Sequence, residues 1–369
     1  MKLALVVGGG VDRSGEYRVI PVLLALIERL SRAHEVHVFA LVQEPEPACW
    51  ELAGATIHNI GRGRIHVRSI VAIRAEHRRA PFDLLHAVFS GPCGLITVAA
   101  ARLLRLPSMV HYTSGELVGL RDIGYGGQLN WKGRLSERIT LRGADIVTAT
   151  SAPILDELQT LGVQARRVSL GVDLRKWPPR APRPRRGGPA RLVHVASLNR
   201  VKDQSTMLHA LERLAKTGVD FEMDIVGADT LQGEIQELIR RLNLDGRVRF
   251  LGFRTQRELR PLVESADLLV LSSRHEAGPV ALLEAAVVGV PAVGTAVGHF
   301  AEWAPSAAIA VPVANPERLA DAIHTMLADE DLRLRVARAA QCRALSEDAD
   351  YTARTFEALY QRLTRGLCG

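Results

Sequence analysis

The chain alternates between short, continuously apolar runs and longer segments in which apolar residues recur every three or four positions. Continuous runs bounded by Gly, Pro or acidic residues read as buried strands, and the three-and-four spacing reads as helices with one face covered. In the first half the runs predict strands at 2–7, 34–40, 83–88, 108–112 and 145–149, with helices near 20–30, 96–104 and 135–141. After position 190 the alternation restarts, with strands at 191–196, 222–226, 248–251, 267–271 and 292–295 and helices at 206–215, 233–242 and 256–265. Strands that alternate with helices make a parallel sheet covered on both faces. Between the halves, 177–190 reads WPPRAPRPRRGGPA, too rich in Pro, Arg and Gly for a regular element.

This pattern predicts an α/β chain of two doubly wound, Rossmann-like domains, 1–176 and 191–350, joined by a linker at 177–190. A last helix within 351–369, apolar at Phe356, Leu359, Tyr360 and Leu363, is expected to brace the domains. Ligands in such folds bind at the carboxyl ends of the strands, so two domains face to face would enclose a central cleft.

Composition narrows the classes. Hydrophobic residues make up 47% and charged residues 24%, ordinary for a soluble globular protein. The N-terminal apolar run is too short for a signal sequence or a membrane span, so a cytoplasmic location is expected. Cys49, Cys93, Cys342 and Cys368 lack metal-site spacing, and reduced thiols are expected. The net charge of +7 resides entirely in the first half: residues 1–180 carry 23 basic and 16 acidic side chains, whereas 181–369 carry 24 of each. It is densest at 61–80, where Arg62, Arg64, Arg68, Arg74, Arg78 and Arg79 accompany one acid, Glu76, and where Ile70, Val71 and Ile73 complete a basic amphipathic helix. A solvated surface explains this charge; the sharper alternative is an anionic membrane or acceptor, which would place the protein peripherally on the inner face of the cell membrane. Nucleic acid is not expected, because no nucleic-acid-binding signature accompanies the charge and aromatics are only 5%.

The chemistry gathers at strand ends of the second half. Ser197, Arg200 and Lys202 follow one strand, Gly227 ends the next, and Phe253-Arg254 follows a third. After the apolar run 266–271 come Ser272-Ser273, then Glu276-Ala277-Gly278-Pro279-Val280-Ala281-Leu282-Leu283-Glu284, in which Pro279 suits the first turn of a helix. A Gly-rich turn at 293–298 is followed by Glu302. A helix start offers free amides and the positive end of a dipole to a phosphate, cations add to this, and flanking carboxylates accept hydrogen bonds from hydroxyls. Diphosphate plus hydroxyls describes a nucleotide-sugar site. Gly8-Gly9-Gly10 suggests a dinucleotide fingerprint instead, but its third glycine would fall at Arg13 and Gly15 comes two residues late.

In these pieces the chain resembles the retaining, nucleotide-sugar-dependent glycosyltransferases of family 4, which have the two-Rossmann-domain GT-B fold. The likeness extends to Ser14-Gly15-Glu16, to 83–86, to VSLGVD at 168–173 and to the E-x7-E spacing. The resemblance implies that Lys202 neutralises the donor diphosphate, Glu276 holds the transferred sugar and Glu284 the ribose. It implies backbone contacts from Gly278, Pro279, Val280 and Ala281, a base-side border at Phe253 and Arg254, and further donor contacts at Gly15, Ser197, Gly227 and Leu283. It also implies an acceptor-binding first domain, a sugar or lipid-linked acceptor, a UDP- or GDP-sugar as co-substrate and no cofactor or metal. Two positions depart from the pattern. Ser197 stands where the family commonly has an arginine; either Arg200 supplies the second cation, or Arg200 points to solvent and Lys202 acts with the helix start alone. Thr113 stands where many members have histidine; His111, two residues earlier on the same strand face, is either its replacement or a buried strand histidine. An inactive sugar-nucleotide-binding relative and a sugar-nucleotide epimerase are the alternatives.

Overall fold

The computed structural model describes residues 1–365. The chain divides into two compact units, one of Met1–Gly171 with the C-terminal helix and one of Val172–Asp348.

The first unit contains β1 (Lys2–Val7), α1 (Pro21–Leu30), β2 (Glu35–Ala40), β3 (Ala48–Leu52), β4 (Ala55–Asn59), α2 (Ile65–Arg79), β5 (Leu84–Ala87), α3 (Pro92–Leu104), β6 (Ser108–Tyr112), α4 (Trp131–Gly143), β7 (Ile146–Ala149), α5 (Ala152–Thr160) and β8 (Ala165–Arg167). Its strands form one sheet in the order β3-β4-β2-β1-β5-β6-β7-β8, parallel except for the β3–β4 hairpin. All six residues of β1 are buried, as a central strand covered on both faces requires. Right-handed crossovers put α1 on one face and α2, α3 and α4 on the other, where α3 packs between α2 and α4. The β3–β4 hairpin escapes the sequence pattern because β3 lies at the sheet edge with no residue fully buried.

The second unit contains β9 (Ala190–Val195), α6 (Gln204–Lys216), β10 (Phe221–Val226), α7 (Glu234–Arg241), β11 (Val248–Gly252), α8 (Gln256–Ser265), β12 (Leu268–Leu271), α9 (Val280–Val287), β13 (Ala292–Thr295), α10 (Gly298–Trp303), β14 (Ile309–Val311), α11 (Pro316–Ala328) and α12 (Glu330–Ser346). Its sheet, in the order β11-β10-β9-β12-β13-β14, is parallel throughout. Strand alternation divides its core in two: Leu192, Met223, Leu268 and Val270 pack on one face, Val193, Val226, Leu269 and Leu271 on the other.

Two expectations about the connections are corrected. The segment 177–190 is not a free linker: the boundary falls after Gly171, and the Pro- and Arg-rich stretch packs on the second unit. Trp177 is 1% exposed, inside the core with Leu259, Val263 and Leu283. Arg180 N donates to Val287 O (3.3 Å) and the Arg183 guanidinium to Ser265 O (2.9 Å), so backbone groups of α8 and α9 hold a segment that has no ladder of its own. The last helix, α13 (Ala349–Arg365), packs on the first unit. Arg29 Nε donates to Asp350 Oδ1 (2.6 Å), the Tyr360 hydroxyl meets His86 Nδ1 (2.8 Å), and Thr352 Oγ1 donates to Ser169 O (2.7 Å). Among the described residues no helix is long and apolar enough to cross a membrane. Cys49, Cys93 and Cys342 are free thiols, and Cys368 lies outside the described residues.

Candidate active site

The strand order of the second sheet reverses at β9. From β9 the chain winds outward through β10 and β11, then returns to β12 on the other side of β9. The loops leaving β9 and β12 therefore diverge, and the carboxyl ends of these two strands border a crevice, the position where open α/β sheets bind ligands.

Those two loops carry Lys202 and Glu276. Lys202 Nζ lies 2.5 Å from Glu276 Oε1, with the side chains 24% and 11% exposed. Ser273 Oγ donates to the same oxygen at 2.7 Å. The loops are also tied through their backbones: Arg274 N donates to Val201 O (2.7 Å), and Ser272 Oγ donates to Lys202 O (3.0 Å) and Asp203 O (2.8 Å). Beneath them, buried His194 donates from Nδ1 to Val270 O (2.8 Å) and accepts at Nε2 from Gln204 (3.2 Å). Burial pushes the His194 pKa down to about 4, so this imidazole is neutral at physiological pH. The cation and carboxylate thus sit on a backbone fixed by several independent hydrogen bonds.

Glu276 leads into α9, whose N-cap is Pro279 and which has no side-chain cap at its start. Its first-turn amides and the positive end of its dipole are available to an anion. Gly298 locks this approach from behind. With φ +50° it opens α10, and a Cβ there would lie 2.6 Å from Ala277 O and 2.7 Å from Glu276 O. Gly227 allows a similar approach after β10, since a Cβ would stand 2.0 Å from Ala196 O.

Glu284, one helical turn into α9, is 3% exposed. Burial raises its pKa to about 8, and the opposing hydrogen bond from the Gln256 side chain recovers only part of the lost solvation. Gln256 is itself oriented by Trp177, whose Nε1 donates to Gln256 Oε1 (2.5 Å). A chain of Trp177, Gln256 and Glu284 therefore fixes the second glutamate. Leu283 beside it is buried in the core.

Other predicted residues fall less centrally. Ser197 is exposed at the β9 loop, and Gln204 donates to its carbonyl (3.1 Å). Phe253 is 46% exposed after β11, where Arg254 donates to its carbonyl (3.0 Å). Arg200 is not brought to Lys202 as a second cation; its guanidinium reaches exposed Glu234 of α7 at 2.9 Å. In the first unit Gly15 turns the β1 loop with φ +66°, donating to Asp12 O (3.0 Å). Thr113 is half-buried with its hydroxyl toward Val88 O (3.4 Å). His111 is the buried strand histidine rather than a substrate contact. It is fully enclosed, its Nδ1 pairs with Thr148 (2.9 Å) and its Nε2 with Thr150 (3.2 Å), Phe356 packs edge-on, and burial lowers its pKa to about 3.

Three contributors were missed in the sequence: Ser273, Gln256 and a buried acid pair, Glu116 and Glu137. Glu116 accepts from Ser90 N (3.1 Å) and Ser114 N (2.8 Å); Glu137 accepts from Ser90 Oγ (2.7 Å), Gly91 N (2.8 Å) and the Tyr112 hydroxyl (2.8 Å). Burial raises both carboxyls, and these bonds fix the loops that follow β5 and β6. The Ser272-Ser273 dipeptide at a strand end was the available signal for the first; Gln256 and the acid pair offered none, because their partners are distant in the chain.

Two family descriptions match consecutive parts of the chain. Residues 19–171 match the glycosyl transferase 4-like domain and 176–343 match glycosyl transferases group 1. The chain belongs to this glycosyltransferase family, with the GT-B fold. The glycogen synthase of Mycobacterium tuberculosis is 30% identical over 262 residues, covering 69% of this chain and 62% of that enzyme, so the match spans less than two thirds of the relative. The structure of sucrose-phosphate synthase from Thermosynechococcus elongatus superposes with a TM-score of 0.85 at 18% identity, covering 99% of this chain and all of that one. Anabaena HepE in complex with UDP-glucose superposes with a TM-score of 0.76 at 18% identity, covering 98% and 100%. At such identities these two structures speak to fold alone.

Proposed function

We propose that the protein transfers a sugar from a nucleoside diphosphate sugar to an acceptor hydroxyl with retention of anomeric configuration. The observation that carries this reading is the Lys202–Glu276 pair at the switch point, beside the uncapped start of α9. In the step proposed, the bond from the anomeric carbon to the donor phosphate breaks, a bond from that carbon to the acceptor oxygen forms, and the acceptor proton passes to the departing diphosphate. Charge builds on the diphosphate as an oxocarbenium-like centre develops, so preorganised positive groups lower the barrier. Lys202 and the amides of Val280 and Ala281 take that role, with Gly278 and Pro279 admitting the phosphate. Once the diphosphate draws Lys202 away, Glu276 is free to accept from hydroxyls of the transferred sugar. Glu284, held by Gln256, accepts from the ribose, and Phe253 and Arg254 border the base.

A UDP-sugar is the first donor to test, since HepE was solved with UDP-glucose; a GDP-sugar is the second. The acceptor is a sugar or a lipid-linked sugar, as in glycolipid or polysaccharide synthesis. A thermal-shift screen of UDP-, GDP- and ADP-sugars tests donor binding. Ligand at 100 times its Kd stabilises by about 2.7 kcal/mol. The true donor therefore raises Tm by several degrees in the wild type and by clearly less in Lys202→Ala, whereas a flat response to all three classes rejects the site.

A further inference from the structure

We propose that the outer face of α2, α3 and α4 docks on a bilayer containing anionic phospholipid. Every exposed residue of these helices is apolar, basic or histidine: His66, Val67, Val71, Arg74, Ala75, Arg78 and Arg79 on α2; Pro92, Ala99, Arg102 and Leu103 on α3; Trp131, Lys132, Arg134, Leu135, Arg138, Ile139 and Arg142 on α4. The two acids of this layer are withdrawn from it. Glu76 is paired with Lys2 (2.8 Å), and Glu137 is buried on Ser90 and Tyr112.

The apolar residues are large and spaced to share a surface. On α4, Trp131, Leu135 and Ile139 recur every four residues, 62%, 47% and 43% exposed, and Arg134, Arg138 and Arg142 form a parallel row beside them. On α2, Val67 and Val71 are each 61% exposed, and Leu103 at the end of α3 is 55% exposed. With α3 between its neighbours, the face spans roughly 20 Å at ordinary helix spacings. A solvated helix face does not repeat Trp, Leu and Ile at one-turn intervals, and a nucleic-acid surface has no use for aliphatic stripes. An interfacial surface uses both features, since the apolar stripe enters the acyl boundary, the Trp ring sits at headgroup depth and the arginines meet phosphates.

A groove of about 1490 Å³ runs beside α4 and adds a second observation. Arg105, Arg134, Arg138, Arg142, Arg166 and Arg362 line it. Its exposed acid, Asp145, is occupied by Ser108 N and Oγ, both at 2.8 Å. Guanidinium groups in this number suit phosphate headgroups at the membrane surface. The inference rests on exposure and charge, and it stands apart from the donor-site reading.

Vesicle sedimentation of the full chain tests it, with phosphatidylcholine vesicles with and without phosphatidylglycerol. The wild type sediments with the anionic vesicles and not the neutral ones, and added salt weakens binding. Replacing Arg134, Arg138 and Arg142 with Ser lowers the partition coefficient roughly a hundredfold, at about fivefold per charge. Replacing Trp131, Leu135 and Ile139 with Ser also lowers it, at low and high salt alike. Both triple variants keep the wild-type circular dichroism spectrum and Tm, because the side chains face outward. The proposal is overturned if the wild type fails to sediment, if either folded variant sediments like the wild type, or if the wild type binds duplex DNA or RNA but no vesicle.

Discussion

Lys202 Nζ and Glu276 Oε1 meet at 2.5 Å across the crevice between β9 and β12, although 74 residues separate them in sequence. The pair is partly buried, and Lys202 and Ser273 both donate to Glu276 in the absence of a ligand. A diphosphate competes for Lys202 and releases Glu276 toward the sugar. Removing either member then has a different consequence.

Lys202→Ala is expected to raise the Kd for a nucleoside diphosphate by roughly ten- to a hundredfold, the worth of about 1.5–3 kcal/mol for a hydrogen bond to a charged group. Isothermal titration with UDP and GDP measures this. An unchanged Kd removes Lys202 from the site.

Glu276→Gln keeps the side-chain shape and removes the charge. Turnover is expected to fall by roughly a hundred- to a thousandfold, the range for losing one preorganised polar contact to the reacting centre. The Kd for the bare nucleoside diphosphate changes little, because the partner of Glu276 is the sugar. Equal losses in turnover and nucleotide affinity would reverse the assignment.

Glu284 gives a pH signature. Its folded pKa of about 8 lies above the ordinary carboxyl value of 4.5, so the folded protein holds the proton more tightly than the unfolded chain. Its stabilising contribution is fully present below pH 4.5 and is lost as pH rises through about 8. In urea titrations without nucleotide, the stability of Glu284→Gln relative to wild type should improve by a few kcal/mol, roughly, between pH 5 and pH 8. A constant difference would show that Glu284 ionises normally.

Trp177 tests the corrected boundary. Trp177→Ala should destabilise the second unit by about 3–5 kcal/mol, as for other fully buried aromatics, whereas Trp177→Phe loses mainly the hydrogen bond to Gln256, worth about 1 kcal/mol. A linker tryptophan would tolerate both changes.

Most of the fold was legible because continuous apolar runs mark strands buried on both faces and three-and-four spacing marks helices covered on one. The loops proposed to hold the donor stood out for a related reason: Lys202, Glu276 and Glu284 are polar residues placed at strand ends or inside an apolar helix, where packing alone does not call for them. Elements with weak burial were not legible, as with β3, whose alternation is half solvent-facing. Composition misled at 177–190, where Pro and Arg suggested a tether but the side chains of Trp177, Arg183 and Arg185 anchor it. The two readings of Arg200 and of His111 stayed open in the sequence for a third reason. Their partners, Glu234 at the start of α7 and Thr148 and Thr150 on or just after β7, are set by tertiary pairing that no local window reveals.

The central claim is that the Lys202–Glu276 crevice activates a nucleoside diphosphate sugar. Its most direct test is release of nucleoside diphosphate from a panel of UDP-, GDP- and ADP-sugars, with and without lipid-linked and sugar acceptors, by wild type, Lys202→Ala and Glu276→Gln. One donor should yield nucleoside diphosphate together with a glycoside of retained configuration, and both variants should lose this release. Release from no donor, or release that survives both substitutions, would contradict the claim.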